Sequence, residues 1–143
     1  LETVIFRYFN VYGERQPLKG QYAPVVGLFL EMKKAGKPMT VVGDGLQTRD
    51  YTYVKDVVEA NILAMHSDSK EIFGEIFNVG TGTNSSVLDL VSMIDGDYIH
   101  LPNRLGEARD TLANNNKIVN QLGWQPNETI DNWILTYKKE NSI

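Results

Sequence analysis

Glu75-Ile76-Phe77-Asn78-Val79-Gly80-Thr81-Gly82-Thr83-Asn84-Ser85-Ser86-Val87-Leu88-Asp89-Leu90-Val91-Ser92-Met93-Ile94 is the stretch that decides the fold class. Residues 75–79, rich in β-branched and aromatic side chains, predict a strand, and residues 81–86 a loop. Val87, Leu90, Val91 and Ile94 then recur at helical spacing, and Ser86 with Asp89 three places on forms a capping box that opens the helix. A strand, a glycine turn and a capped helix in immediate succession are the building unit of an α/β domain.

The same grammar extends in both directions. Upstream, Thr3-Val4-Ile5-Phe6-Arg7-Tyr8-Phe9 predicts a buried strand over residues 2–9, stopped by the turn formers Asn10 and Gly13. With no initiator Met before it, that strand points to a piece of a longer chain. After a polar loop, Val25, Leu28, Phe29 and Met32 mark a helix ended by Gly36 with Pro38 behind it. Met39–Val42 predicts a short strand turned by Gly43-Asp44-Gly45, and Thr48–Tyr53 a second extended stretch. Val54, Val57, Val58, Ile62 and Met65 predict the inner face of a helix over 54–66, with Lys55, Asp56 and Glu59 elsewhere on it. Downstream, residues 97–101 suit a short strand and 102–113 are irregular. A helix over 117–122 stops at Gly123, and a last helix carries Ile130, Trp133, Ile134 and Tyr137 on one face. There are no repeats and no linker. The class is α/β or α+β, in a single unit over 1–143.

Composition narrows the function. At 143 residues, 42% hydrophobic and 22% charged, the chain is one globular domain. A net charge of −4 argues against nucleic acid, whose backbone is bound by basic excess. No cysteine is present, so disulfides, a thiolate nucleophile and sulfur-ligated metals are excluded. The histidines, His66 and His100, have no ligand spacing, so no metal is expected. No apolar stretch is long enough for a membrane span, and a cytoplasmic protein with no membrane partner is the expectation.

Three local patterns carry candidate chemistry. Gly80-Thr81-Gly82-Thr83-Asn84-Ser85 follows a strand and opens a helix as a dinucleotide fingerprint does, but Ser85 stands where the third glycine is needed. A plain strand-to-helix turn is the favoured reading. Tyr51 and Lys55 have the Tyr-X-X-X-Lys spacing of a tyrosinate base, which requires both on one helix. Tyr51 is expected in the extended stretch before the helix, with Asp50 raising its pKa, so packing is the favoured role of Tyr51 and Tyr53. Arg49 and Arg104, in polar glycine-flanked settings, suit a diphosphate because a guanidinium meets two oxygens at once. Either alone is more often a solvated surface residue or a member of an ion pair.

Taken together, Arg7-Tyr8-Phe9-Asn10-Val11-Tyr12-Gly13-Glu14-Arg15-Gln16, Val42-Gly43-Asp44-Gly45, Arg49-Asp50-Tyr51-Thr52-Tyr53-Val54, Phe77-Asn78-Val79-Gly80-Thr81-Gly82, Arg104-Leu105-Gly106-Glu107 and Leu122-Gly123-Trp124-Gln125-Pro126 resemble the C-terminal half of an extended short-chain dehydrogenase/reductase. The branch is the NAD-dependent nucleotide-sugar epimerase/dehydratase family, nearest its UDP-glucose 4-epimerase type. The resemblance implies the substrate-binding C-terminal domain plus late Rossmann strands at about 2–9 and 75–79, the N-terminal NAD-binding domain being absent. It further implies a UDP-hexose 4-epimerase acting through a 4-keto intermediate, its catalytic Tyr-X-X-X-Lys lying upstream of Leu1, and a homodimer for the full-length protein.

By resemblance, Tyr8 and Phe9 lie against NAD, and Asn10 bonds the substrate's phosphate or sugar side. Thr40, Val41 and Val42 hold the uracil through backbone groups. Arg49 and Arg104 clamp the diphosphate, and Glu107 accepts the ribose hydroxyls. Glu14 replaces the family's proline after the Tyr-Gly turn, and Tyr22-Ala23-Pro24 stands where some epimerases carry an asparagine. A nucleotide-sugar 4,6-dehydratase or decarboxylase shares the 4-keto step and stays open. So does a non-catalytic nucleotide-binding or interaction module; alone, the chain is expected to be inactive.

Overall fold

The computed structural model describes residues 1–18, 20 and 23–143; Tyr22, one of the departures noted above, lies outside them. In chain order the elements are β1 (Ile5–Tyr8), β2 (Val11–Tyr12), α1 (Val25–Lys34), β3 (Met39–Val42), β4 (Thr48–Arg49), β5 (Thr52–Tyr53) and α2 (Val54–Met65). A 3₁₀ turn at Lys70–Ile72 precedes β6 (Ile76–Val79), β7 (Ser85–Ser86), α3 (Val87–Ile94), β8 (Tyr98–Leu101), α4 (Asn116–Leu122) and α5 (Ile130–Asn141). Strands pair in parallel as β1–β6, β2–β5 and β3–β8, and antiparallel as β4–β7. The alternation and the parallel pairs make this an α/β fold, as expected.

Several elements follow directly from local chemistry. Ser86 and Asp89 form the predicted capping box, each satisfying an amide of the other's turn. Gly36 (φ 64°) and Gly123 (φ 65°) take the left-handed conformation that ends a helix cheaply only for glycine. Two apolar clusters form. The first gathers Phe29 and Leu30 of α1, Met39 and Val41 of β3, Leu90 and Ile94 of α3, and Ile134 of α5. The second gathers Ala60 of α2, Phe77 and Val79 of β6, Ile118 of α4, and Trp124.

Three expectations change. The strand predicted over 2–9 is shorter, and it is not buried: Ile5 and Tyr8 are about half exposed, because among the described residues β1 has β6 on one side and no strand on the other. The stretch 48–53 divides into β4 and β5 at Asp50-Tyr51, and β2 adds a strand the sequence reading missed. Helix α2 turns a different face inward. Asp56 is 3% exposed, whereas Val58, Ile62 and Met65 (72%) face outward. The Asp56 carboxylate accepts the Glu128 N–H and the Asn127 amide, both at 3.3 Å, and its carbonyl accepts the Trp124 indole N–H at 2.8 Å. Those bonds draw the helix edge that carries it into the interior.

Candidate functional site

Helix α1, the uncovered edge of β3 and the β4–β5 bend enclose a cleft of about 590 Å³. One wall is apolar, from Leu28 and Phe29 of α1 with Pro17, Pro24 and Val87. The lining also carries charge, from Arg49, Arg104 and Glu107. A smaller hollow of about 250 Å³ shares Val42, Gln47, Arg104 and Glu107 with the cleft and adds Asp44, Asn103 and Arg109.

The strand β3 shapes the floor. It spends one edge on β8, with the Met39 N–H on the Asp97 carbonyl at 2.8 Å and the Gly43 N–H on the Leu101 carbonyl at 2.9 Å. Because a strand alternates its bonding direction, the backbone groups of Thr40 and Val42 point to the other edge. Their side chains line the cleft, while Val41 is fully buried beneath it and offers the cleft nothing. The Val42 carbonyl accepts the Gln47 side-chain amide at 2.9 Å.

At the charged end the Arg49 guanidinium bonds the Thr48 carbonyl at 2.7 Å and the Glu107 carboxylate at 3.2 Å. Arg104 is exposed, and Arg109 pairs with Asp44 at 2.7 Å. The Arg109 hydrogen bond holds the Asp44 carboxyl below its usual range. Tyr51 lines the cleft although only 5% exposed, and its hydroxyl has no partner among the described residues. Burial is the main cause that pushes its phenol up, with the charge of Asp89 adding and that of Arg49 opposing. Asp50 is not among those causes, since its carboxylate points into the 80–82 turn. Lys55 stands 5.5 Å from the Tyr53 ring, and Tyr51 lies before α2, so these residues do not form the one-helix Tyr-X-X-X-Lys pair.

Of the sequence-predicted residues, Asn10, Thr40, Val42, Arg49, Arg104 and Glu107 meet at this cleft, whereas Tyr8, Phe9 and Val41 do not line it. Tyr8 instead donates its hydroxyl to Asn61 at 3.1 Å. Asn10 lines the cleft with both amide protons already committed, to the Asp50 carbonyl at 3.1 Å and to the Thr111 hydroxyl at 3.2 Å, so it offers its oxygen as an acceptor. Sequence reasoning missed Gln47 and assigned Tyr51 to packing alone. The apolar wall was legible as a helix stripe, but nothing local said that a stripe residue such as Leu28 would face a cleft. Among the described residues no His or acidic cluster could hold a metal, and no helix is long and apolar enough to cross a membrane.

The family model described as NAD dependent epimerase/dehydratase family matches residues 1–80. The chain is 40% identical over 124 residues to a UDP-glucose 4-epimerase of Mycolicibacterium smegmatis, covering 82% of this chain and 38% of that protein. It is 42% identical over 108 residues to a UDP-N-acetyl-alpha-D-glucosaminuronate decarboxylase of Bacillus cytotoxicus, covering 71% of this chain and 32% of that protein. The crystal structure of a UDP-glucose 4-epimerase from Thermotoga maritima with UDP-glucose superimposes with a TM-score of 0.88 at 34% identity, over 100% of this chain and 48% of that one. The chain thus spans about two fifths of the length of the curated relatives it matches.

Proposed function

The chain belongs to the NAD-dependent epimerase/dehydratase family, and from that premise we propose that its cleft is the nucleotide-sugar site of a UDP-hexose 4-epimerase. One observation carries this reading. A single cleft brings together apolar side chains of α1, the outer edge of β3 and two arginines with a carboxylate beside them, the kinds of chemistry a nucleoside diphosphate needs.

The planar base lies between the α1 wall and β3, where the Thr40 and Val42 backbone groups read its edge. Arg49 and Arg104 neutralise the diphosphate through charge-assisted bonds. Glu107, released from Arg49, accepts ribose hydroxyls, and the buried Tyr51 hydroxyl supplies a donor that has no partner among the described residues. These grips act on parts of the substrate remote from the reacting carbon. Their binding energy therefore serves to position the sugar rather than to change its bonds.

In this reading NAD, when bound, supplies hydride exchange at carbon 4 of the sugar, giving the 4-keto intermediate. Tyr8 and Phe9, at the carboxyl end of β1, are the residues of this chain that would touch it, since ligands of open parallel sheets lie beyond that end. The 80–82 turn offers no cradle for its phosphates, because the Thr81 and Gly82 amides are already bonded to Asp50. No described cleft residue is suited to be the base: the Tyr51 phenol is pushed up by burial, and Lys55 stands over the Tyr53 ring instead. The open edge of β1 and the apolar outer face of α2 serve as the seam to an NAD-binding domain of a longer, homodimeric protein. The decarboxylase relative keeps a second reading in view, a nucleotide-sugar decarboxylase or dehydratase with the same 4-keto step.

Titration of the isotope-labelled chain with UDP and UDP-glucose tests the site. Amide shifts are expected at Thr40, Val42, Arg49, Arg104 and Glu107 with both ligands, without turnover of UDP-glucose by this chain alone. Shifts confined to other regions, or none, would overturn the assignment.

A further inference from the structure

The glycine turn after β6 and the Arg49-Asp50-Tyr51 bend meet at one carboxylate. Asp50 is 0% exposed. Its oxygens accept four hydrogen bonds, from the Thr81 N–H and hydroxyl at 2.8 Å each, the Gly82 N–H at 3.0 Å and the Ala113 N–H at 3.1 Å. None of these donors is a cationic side chain. Successive amides of a glycine turn form a concave donor set that ordinarily receives an anion from solution. Here the protein supplies the anion itself. Gly80 is required beside it, since a Cβ there would lie 2.4 Å from the Ala113 Cβ and 2.9 Å from the Asp50 carboxylate.

The consequence follows from strand geometry. Side chains alternate sides along an extended segment, so a residue anchored inward sends both its neighbours outward. With Asp50 held in the turn, Arg49 and Tyr51 both line the cleft. The Ala113 bond anchors the end of the irregular segment that carries Arg104 and Glu107, and the Asp50 carbonyl holds Asn10. We propose that Asp50 is a positioning residue, an internal anion that occupies the 80–82 turn and thereby aims Arg49 and Tyr51 at the diphosphate end of the cleft. This role rests on the nucleotide reading of the cleft and adds to it the device that sets its geometry.

The test compares uridine, UMP and UDP binding to the parent chain and to Asp50→Asn by calorimetry, with amide spectra reporting the fold. Asparagine keeps the shape but turns an NH₂ toward N–H donors, so the bend loosens. The preference of UDP over uridine is expected to fall by about tenfold, the scale of one hydrogen bond to a charged group, with uridine affinity within about twofold of the parent. Thr81→Val removes only the hydroxyl bond and is expected to lower the same ratio by less; it serves where Asp50→Asn does not fold. An unchanged ratio in a folded variant, or an equal loss for all three ligands, overturns the positioning role. A parent chain that binds none of the three removes the nucleotide reading and this role with it.

Discussion

The two apolar clusters of this molecule are built from similar residues and end differently. Around α1, β3, α3 and α5, each apolar face meets another, and Leu30, Met39, Leu90, Ile94 and Ile134 are sealed inside. Around β6, the sheet is covered by α2 and α4, yet β1 and the outer face of α2 leave Ile5, Tyr8, Val58, Ile62 and Met65 in solvent. Parallel strands are normally buried on both faces, and a strand with one partner exposes a row of unpaired backbone groups. The first region completes itself and carries the cleft. The second presents a surface of the kind that other elements cover.

The sharpest way to break that contrast is a cavity in the sealed region. Leu90→Ala is expected to cost about 2–5 kcal/mol of stability, the range for deleting a fully buried aliphatic side chain, read as a lowered urea midpoint. A cost below about 1 kcal/mol would mean that the first cluster is as open as the second. Next in size, Arg49→Ala and Arg104→Ala should each lose about 1.5–3 kcal/mol of UDP affinity, nearly equally for UDP and UDP-glucose, with melting temperature changed little. Parent-like affinity in both would return the two arginines to the solvated surface.

Tyr51→Phe separates ligand use from packing. It removes a hydroxyl that has no partner among the described residues, so stability should hold or rise while UDP affinity falls by about 0.5–1.5 kcal/mol. A stability loss without an affinity loss would assign that hydroxyl to the fold. The smallest effect belongs to the open region. Val58→Ala, on the exposed face of α2, should change stability by no more than about 0.5 kcal/mol, and a cost of several times that would show the face to be covered, by a second copy for instance. Repeating the measurement across protein concentrations distinguishes the two.

Much of the fold was legible because its causes are local. The Ser86–Asp89 box, the glycine stops at 36 and 123, and the alternation of Met39–Val42 involve residues within a few positions of one another. The rotation of α2 was not legible. Apolar residues lie on both sides of the helix, and the inner face proves to be the one with Val57 and Ala60 beside Asp56, whose partners Trp124, Asn127 and Glu128 lie some seventy residues away. The site divides in the same manner. Arg49 and Arg104 stood out as candidate diphosphate ligands by residue type. Their common cleft depends on the parallel β3–β8 pairing and on the Thr48 amide bonded to the Arg109 carbonyl at 2.9 Å.

By itself, then, the sequence determined the helices and the longer strands, the glycine stops at 36 and 123, and which residue types are at hand for a candidate site. Only the tertiary structure decided which helix face turns inward, that Val41 lies beneath the cleft while Thr40 and Val42 line it, and that the glycine turn at 80–82 closes on Asp50 instead of a phosphate. The physical reason is range. Propensity, capping and glycine conformation act over one turn of chain, whereas burial and hydrogen-bond satisfaction are settled between segments that meet only after folding.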